Sequence, residues 1–147
     1  MSAPHGLVVV DASVAVKWVL DEPGSAWARA LPGSGAQLLA PDLLPTECGS
    51  VLWRMARTGR IDPAMLERFW SRIGATPLMT CGTGWREADA AMRLAMRLDH
   101  PIYDCLYLAL ALERGAALAT ADRRFLTVVG RTGVLPPDRI VAPPSAP

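Results

Sequence analysis

Short apolar runs alternate along this chain with longer stretches in which apolar residues recur every three to four positions. The first run, Val8–Val10, is β-branched, lies shortly after Gly6 and ends at Asp11. A run bounded in this way is typical of a fully buried strand in a parallel sheet. The same reasoning predicts strands at 8–10, 37–40, 76–80, 117–120 and, at an edge, 140–142.

The stretches between these runs have the spacing of helices. Gly59 and Gly115 follow two of them as typical helix stops, and Asp62 is a capping carboxylate before a first-turn proline. Ser25 and Asp42 are further candidate caps. The predicted helices cover 12–20, 27–31, 43–58, 63–75, 83–98, 102–114 and 122–129. Alternating strands and helices predict an α/β domain with a mainly parallel sheet, whose sites form outside the carboxyl ends of the strands.

Two of the predicted helices differ in how they should pack. Helix 102–114 is apolar on nearly every side apart from Asp104 and its charged end, which predicts a central, buried position. Helix 83–98 should have one exposed and one buried face. We expect it to expose Arg86, Glu87, Arg93 and Arg97 and to bury Ala88, Ala91, Met92, Ala95 and Met96.

Composition limits the classes of protein. The 147 residues are 51% hydrophobic, which fits one compact globular domain. We assign 1–142 to that domain and 143–147 to a disordered, proline-rich tail. The net charge is only +1, so binding to nucleic acid would need a local basic patch. No run of apolar residues is long enough to span a bilayer.

The cysteines and the first residues bear on location. Cys48, Cys81 and Cys105 are widely separated and lie among apolar neighbours, which predicts buried thiols rather than a zinc site or disulfides. Such a pattern suits a reducing cytoplasm. The first residues lack a basic segment followed by a long apolar one, so we expect no signal peptide.

Four acidic residues stand where a carboxylate needs a reason. Asp11 directly follows the first strand, Asp122 follows the fourth strand after Ala121, and each could simply cap the next helix. Glu47 points along the apolar face of its helix, although a first-turn glutamate also complements the helix dipole. Asp104 is the only charge in the first ten residues of an apolar helix, and an ion pair with an arginine is its structural alternative.

The predicted fold can bring these four acids to one cleft. Carboxylates that share a site repel one another, and protonation or a cation must relieve that repulsion. Oxygen ligands without nearby histidine or cysteine ligands favour Mg²⁺ or Mn²⁺ over zinc. Asp99 and His100 precede the third acid, and we interpret them as a loop cap before a helix-starting proline rather than as ligands.

The segments around these acids resemble the PIN-domain family, and within it the VapC-type toxins of bacterial toxin–antitoxin pairs. The resemblance runs from about Leu7 to Ala142. It rests on VVVDASVAVKWVLDEPGS at 8–25, APDLLPTECGSVLWR at 40–54, LDHPIYDCLYLALALERGAALATAD at 98–122 and the following RRFL. It implies a three-layer α/β/α fold with a central sheet of four to five strands.

The resemblance also implies a function. Asp11, Glu47, Asp104 and Asp122 would be the catalytic acids and the ligands of Mg²⁺ or Mn²⁺, which activates a water for hydrolysis of RNA. Ser13 and Thr120 would order the site or the scissile phosphate. Two arginine groups could hold the RNA backbone or be solvated surface residues: Arg54, Arg57 and Arg60, and Arg123 and Arg124.

The implied partners are an RNA substrate, a second copy of the chain in a homodimer and a small antitoxin protein. The helix at 63–75, with Phe69, Trp70 and Ile73, could contact the antitoxin or pack in the core. Two alternatives stay open: a PIN nuclease of RNA processing without an antitoxin, and a non-catalytic α/β interaction module whose acids are caps and ion pairs.

Overall fold

The computed structural model describes residues 6–145. Its centre is a sheet of five strands in the order β3-β2-β1-β4-β5, and all four strand pairings are parallel. The strands are β1 (Leu7–Val10), β2 (Gln37–Pro41), β3 (Met79–Cys81), β4 (Ala117–Ala119) and β5 (Ile140–Val141).

Helices connect the strands and cover both faces of the sheet. They are α1 (Ala12–Ala15), α2 (Ser25–Ala30), α3 (Leu44–Arg57), α4 (Leu66–Ala75), α5 (Trp85–Leu98), α6 (Ile102–Arg114) and α7 (Arg123–Thr132). Right-handed connections put α1 to α4 on one face and α5 to α7 on the other. In agreement, α3 packs on α4, and α5 packs on α6, which lies against β1, β2 and β4. The predicted α/β/α architecture is therefore confirmed.

The core lies between the sheet and these two layers. Val8, Val9 and Val10 are fully buried, as the β-branched run predicted, and so are Leu39 and Leu118 on the neighbouring strands. One close approach joins α3 to α4: a Cβ at Gly49 would lie 3.1 Å from the ring of Trp70. No helix in residues 6–145 has the length and apolar character needed to cross a membrane.

Several predicted boundaries and caps were wrong. The helix predicted at 12–20 is one short turn of α-helix, continued by a 3₁₀ turn at Val16–Trp18. Ser25 does not cap a helix, because its Oγ donates to the carbonyl of Leu20. Asp42 is not a cap either, since α3 has Leu43 at its N-cap. Asp62 does cap, accepting from the amide of Ala64.

The third strand and two helix faces also differ from the predictions. β3 occupies 79–81 rather than 76–80. On α5, Met92 and Met96 are exposed rather than buried, because the face toward α6 is centred on Ala91. The prediction that α6 is central is correct for its inner residues, but Tyr103 is 60% exposed.

Smaller predictions concern the cysteines and the ends of the chain. Cys48 and Cys105 are buried free thiols, whereas Cys81 is only partly buried. Residues 1–5, which carry the prediction about a signal peptide, lie outside the described residues, as do 146–147 of the predicted tail. Within the tail, Pro143 lies against Gly24.

Candidate active site

The predicted acids lie at the carboxyl edge of the sheet, where β1 and β4 run side by side. The chain leaves β1 toward β2 and returns through α6 to β4 on the opposite side. The strand order therefore reverses between β1 and β4, and open α/β sheets form their sites at such a point. Asp11 directly follows β1, and Thr120 directly follows β4.

Asp11 is a buried carboxylate held by hydroxyl groups. It stands at the N-cap position of α1 but makes no side-chain cap bond, and it is only 3% exposed. Ser13 Oγ and Thr120 Oγ1 both donate to its Oδ2, at 2.7 and 2.8 Å. Burial raises the pKa of Asp11, the two hydroxyl bonds lower it, and the charge of Asp104 raises it further.

The two hydroxyls are themselves held in place by the loop after β4. The amide of Ala121 donates to Ser13 Oγ at 3.0 Å, and the amide of Asp122 donates to Thr120 Oγ1 at 3.2 Å. Because each hydroxyl oxygen accepts from a backbone amide, its own proton is free to point at Asp11. The network thus joins the ends of β1 and β4 around one carboxylate.

Glu47 extends this site from the first turn of α3. Its Oε1 is buried and finds no hydrogen-bond partner among the described residues. Burial raises the pKa of Glu47 to about 7, and the charges of Asp11 and Asp104 add to the rise. A carboxylate that is buried, unpaired and near two other carboxylates is an unfavourable arrangement unless something binds there.

Asp104 reaches the site from the first turn of α6. Its partner is His100, whose Nε2 lies 2.7 Å from Asp104 Oδ2, rather than one of the arginines. Burial raises the pKa of Asp104, while the hydrogen bond from His100 lowers it and the charge of Asp122 raises it. The interpretation of His100 as part of a simple loop was incomplete, because its side chain is buried against a site residue.

Asp122 differs from the other three acids because its side chain caps a helix. Its Oδ1 accepts from the amide of Phe125 at 3.0 Å, in the first turn of α7. The helix-cap alternative is therefore realised here, unlike at Asp11. Its charge nevertheless acts on Asp104, so the cap lies within electrostatic reach of the site.

Tyr107 is a second residue that the sequence analysis did not connect with the site. Its hydroxyl is buried and has no partner within residues 6–145. Burial raises the pKa of Tyr107, and the charges of Glu47 and Asp11 add to this effect. Its position three residues after Asp104, on the same side of α6, was the signal available in the sequence.

The four acids do not form a ready-made cage for a metal. In the described part of the chain, no group of three aspartate, glutamate, histidine or cysteine side chains is close enough together to hold an ion. Mg²⁺ is commonly bound through one or two carboxylates and keeps several waters. The unpaired Glu47 Oε1 and the repulsion between Glu47, Asp11 and Asp104 fit a hard cation of this kind.

The predicted arginines lie on the surface. Arg123 and Arg124 are exposed at the start of α7, directly after Asp122. Arg54, Arg57 and Arg60 are exposed near the end of α3, where the guanidinium of Arg57 lies 5.4 Å from the centre of the Trp53 ring. The first pair is therefore adjacent in sequence to Asp122. Arg54 and Arg57 lie two to three helical turns beyond Glu47, and Arg60 follows the end of α3.

Known proteins are similar to this chain in sequence and in fold. A PIN domain model matches residues 8–130. Ribonuclease VapC3 from Pyrobaculum aerophilum is 33% identical over 121 residues, which cover 80% of this chain and 90% of the relative. The crystal structure of PAE2754, also from Pyrobaculum aerophilum, matches with a TM-score of 0.61 at 25% identity, covering 82% of this chain and 83% of that one. The resemblance to PIN-domain proteins of the VapC type is confirmed, and the chain belongs to the PIN-domain family.

Proposed function

We propose that this chain is the toxin of a toxin–antitoxin pair and acts as a Mg²⁺- or Mn²⁺-dependent endoribonuclease. The observation that supports this most strongly is the buried Asp11 carboxylate, which two hydroxyls hold while its charge raises the pKa of Glu47. Acids are rarely buried beside one another unless they serve a site. The similarity to a protein named as a VapC ribonuclease supports RNA as the substrate.

The cation would be held by Asp11, Glu47, Asp104 and Asp122, with Asp11 and Asp104 as the main ligands. A bound divalent cation lowers the pKa of water and stabilises the charge that develops at the scissile phosphate. The carboxylates supply hard oxygen ligands, and Ser13 and Thr120 hold Asp11 in a single orientation. Asp122 uses Oδ1 for its cap, so Oδ2 is the oxygen that would complete the site.

Glu47 is the proposed base. Burial raises the pKa of Glu47 to about 7 in the metal-free chain. A cation bound beside it would lower that pKa, which leaves Glu47 ionised at neutral pH and able to orient a water or accept its proton. In the reaction, Glu47 accepts a proton from a water whose oxygen attacks the phosphorus in line. The bond to the 3′ oxygen breaks, and that oxygen takes up a proton from solvent water, so that the products carry a 5′-phosphate and a 3′-hydroxyl.

The RNA would be single-stranded or looped, because its bases can then be splayed and stacked. Arg123 is the proposed contact to the backbone at the scissile phosphate, since it is exposed and follows Asp122 directly. Trp53 and Arg57 offer an exposed aromatic face with a guanidinium over it, which is a combination found in single-strand binding.

The proposed partners are an antitoxin and a second copy of the chain, in a cytoplasmic setting. An open apolar cleft of about 350 Å³ lies between α3 and α4 and is lined mainly by Gly49, Leu52, Leu66 and Trp70. Trp70 is 44% exposed there, whereas Ile73 of the same helix is buried in the core. The cleft could take an apolar segment of the antitoxin.

The direct test is cleavage of a labelled single-stranded RNA by the purified chain, with Mg²⁺ and with EDTA. We expect cleavage with Mg²⁺, none with EDTA, and none by Asp11→Asn at equal folded concentration. Wild-type cleavage that persists in EDTA would refute the metal dependence. Failure of the wild type on every RNA tested, together with no change in melting temperature on adding Mg²⁺, would favour the non-catalytic interaction module.

A nuclease of RNA processing would pass the same assay and needs a separate test. Induced expression should arrest growth if the chain is a toxin, and co-expression of a small protein from the adjacent gene should restore growth. Growth arrest that Asp11→Asn abolishes supports the toxin. Normal growth with active enzyme would favour RNA processing.

A further inference from the structure

His100 lies at the junction of α5 and α6 and is fixed there by its backbone. Its amide donates to the carbonyl of Ala95 at 3.1 Å, the last turn of α5. Asp99 just before it has a positive φ of 50°, which is the left-handed geometry that ends a helix. Pro101 just after it is the N-cap residue of α6. The backbone at the end of α5 and the start of α6 therefore fixes the position of the imidazole.

The ring of His100 is buried against Asp104 and Phe125. Only 2% of its side chain is exposed, and the ring stacks on Phe125 with 5.0 Å between centroids and 12° between planes. Nε2 lies 2.7 Å from Asp104 Oδ2. Phe125 in turn donates its amide to Asp122. His100 therefore contacts the α6 acid directly and the α7 acid through one residue.

The surroundings of the ring indicate which nitrogen carries the proton. Nδ1 is buried and has no partner in residues 6–145. A buried N–H without an acceptor is rarer in proteins than an unpaired acceptor, so the proton belongs on Nε2. In that tautomer Nε2–H donates to Asp104 Oδ2, and the carboxylate has one oxygen fixed and the other directed away from the imidazole.

We propose that His100 is a positioning residue that orients Asp104 through the Nε2–H···Oδ2 hydrogen bond and ties this acid to Asp122 by stacking on Phe125. This proposal rests on the proposed function in one respect, namely that Asp104 binds a divalent cation. Groups that orient metal ligands typically change metal affinity 10- to 100-fold when they are removed. The stack on Phe125 does not require a histidine, because a phenyl ring would fill the same space. The hydrogen bond to Asp104 is therefore the interaction for which an imidazole is needed.

Three variants separate the hydrogen bond from the packing. His100→Gln can place an amide NH₂ near the position of Nε2, His100→Asn is too short to reach Asp104, and His100→Phe keeps a ring against Phe125 without a donor. We expect Mn²⁺ affinity, measured by electron paramagnetic resonance without RNA, to stay within about 3-fold in His100→Gln. It should fall about 10- to 100-fold in His100→Asn and His100→Phe.

The melting temperature of each metal-free variant is the control for packing. His100→Phe loses the hydrogen bond to Asp104 and should melt below the wild-type temperature, but it should stay folded at the assay temperature because its ring still packs on Phe125. Unchanged Mn²⁺ affinity and RNA cleavage in a folded His100→Phe would show that His100 only packs, and would overturn the proposal. A wild type that neither binds Mn²⁺ nor cleaves RNA would instead overturn the proposed function.

A second measurement tests the hydrogen bond without any metal. The chain has two histidines, so the imidazole ¹⁵N signals that disappear in His100→Gln identify His100. We expect the metal-free wild type to show a protonated Nε2 with the proton held in a hydrogen bond, and an unprotonated Nδ1. The opposite tautomer, or an Nε2 proton that exchanges as fast as that of free imidazole in water, would overturn the positioning role whatever the activity.

Discussion

The ends of β1 and β4 look alike in sequence and differ in structure. Each strand is followed by an aspartate that occupies the N-cap position of the next helix, Asp11 before α1 and Asp122 before α7. Asp122 makes the cap bond to Phe125. Asp11 makes none and is instead 3% exposed and held by Ser13 and Thr120.

The comparison shows how burial changes the free energy of a carboxylate. A partly exposed cap stabilises its helix by about 1 kcal/mol and needs no further explanation. The buried carboxylate loses its hydration, and burial raises its pKa. Two donated hydroxyls offset only part of that loss. A bound cation would relieve the remaining cost at Asp11, whereas the position of Asp122 is already explained by its cap on α7.

The largest effect should come from removing the charge at the β1 end. We expect Asp11→Asn to lower kcat/KM for RNA cleavage more than 100-fold, because a proposed metal ligand matters more than the groups around it. Asp122→Asn is the matched control at the β4 end and should cost about 10-fold, since asparagine keeps the cap. Equal losses in the two variants would contradict the difference between the two ends.

The hydroxyl network should matter next. Thr120→Val removes the donor to Asp11 and the acceptor for the Asp122 amide while keeping the shape. We expect the free energy of unfolding to fall by about 1.5–3 kcal/mol, the usual value of a hydrogen bond to a charged group. Thr120→Ser keeps the hydroxyl, so its free energy of unfolding should fall by less. Urea denaturation in EDTA measures the free energy of unfolding of both variants. If Thr120→Val has the wild-type value, the hydrogen bond from Thr120 does not stabilise the buried Asp11 carboxylate.

The pH dependence of stability should reflect Glu47. Its folded-state pKa is raised from 4.5 to about 7, so the folded state binds the proton more tightly than the unfolded state. The resulting stabilisation is complete below pH 4.5 and is lost as pH rises through 7. The full shift corresponds to about 3 kcal/mol, and solvent screening of a side chain that is only partly buried reduces this to about 1–2 kcal/mol.

Denaturation of the metal-free chain between pH 4.5 and 8 tests this expectation. Glu47→Gln should make that part of the profile less steep, while Glu67→Gln at an exposed position on α4 should leave it unchanged. A pH profile of Glu47→Gln that matches the wild-type profile would show that folding does not raise the pKa of Glu47.

The smallest effect should come from the cap itself. Asp122→Ala removes the acceptor for the Phe125 amide and should lower the free energy of unfolding by about 1 kcal/mol, whereas Asp122→Asn should leave it unchanged. Thermal and urea unfolding measure the stability of the alanine and asparagine variants. Identical stability of the alanine and asparagine variants would mean that the cap does not stabilise α7.

The sequence predicted the fold and the positions of the acids because those features depend on local patterns. Val8–Val10 is apolar on both sides of the strand and must be buried, and Asp11 follows it at the edge where parallel strands end. β3 and α1 were placed less well. β3 is three residues long, and the 12–20 segment is so apolar that its spacing does not distinguish an α-helix from a 3₁₀ turn.

The contacts that define the site were harder to predict because they join distant parts of the chain. Ser13 and Thr120 are 107 residues apart and meet only when β1 pairs with β4. His100 is buried because Phe125 covers it, and no local pattern around residue 100 shows that. Met92 has a buried pattern in sequence, but α5 turns Ala91 toward α6 and leaves Met92 exposed.

The central claim is that the carboxylates at the carboxyl edge of the sheet bind a divalent cation through Asp11. Titration of Mn²⁺ into the metal-free chain without RNA, followed by electron paramagnetic resonance, tests it most directly. We predict saturable binding by the wild type, competition by Mg²⁺, and loss of that binding in Asp11→Asn with the fold retained. Saturable binding that Asp11→Asn leaves unchanged, or no saturable binding by the wild type, would contradict the account.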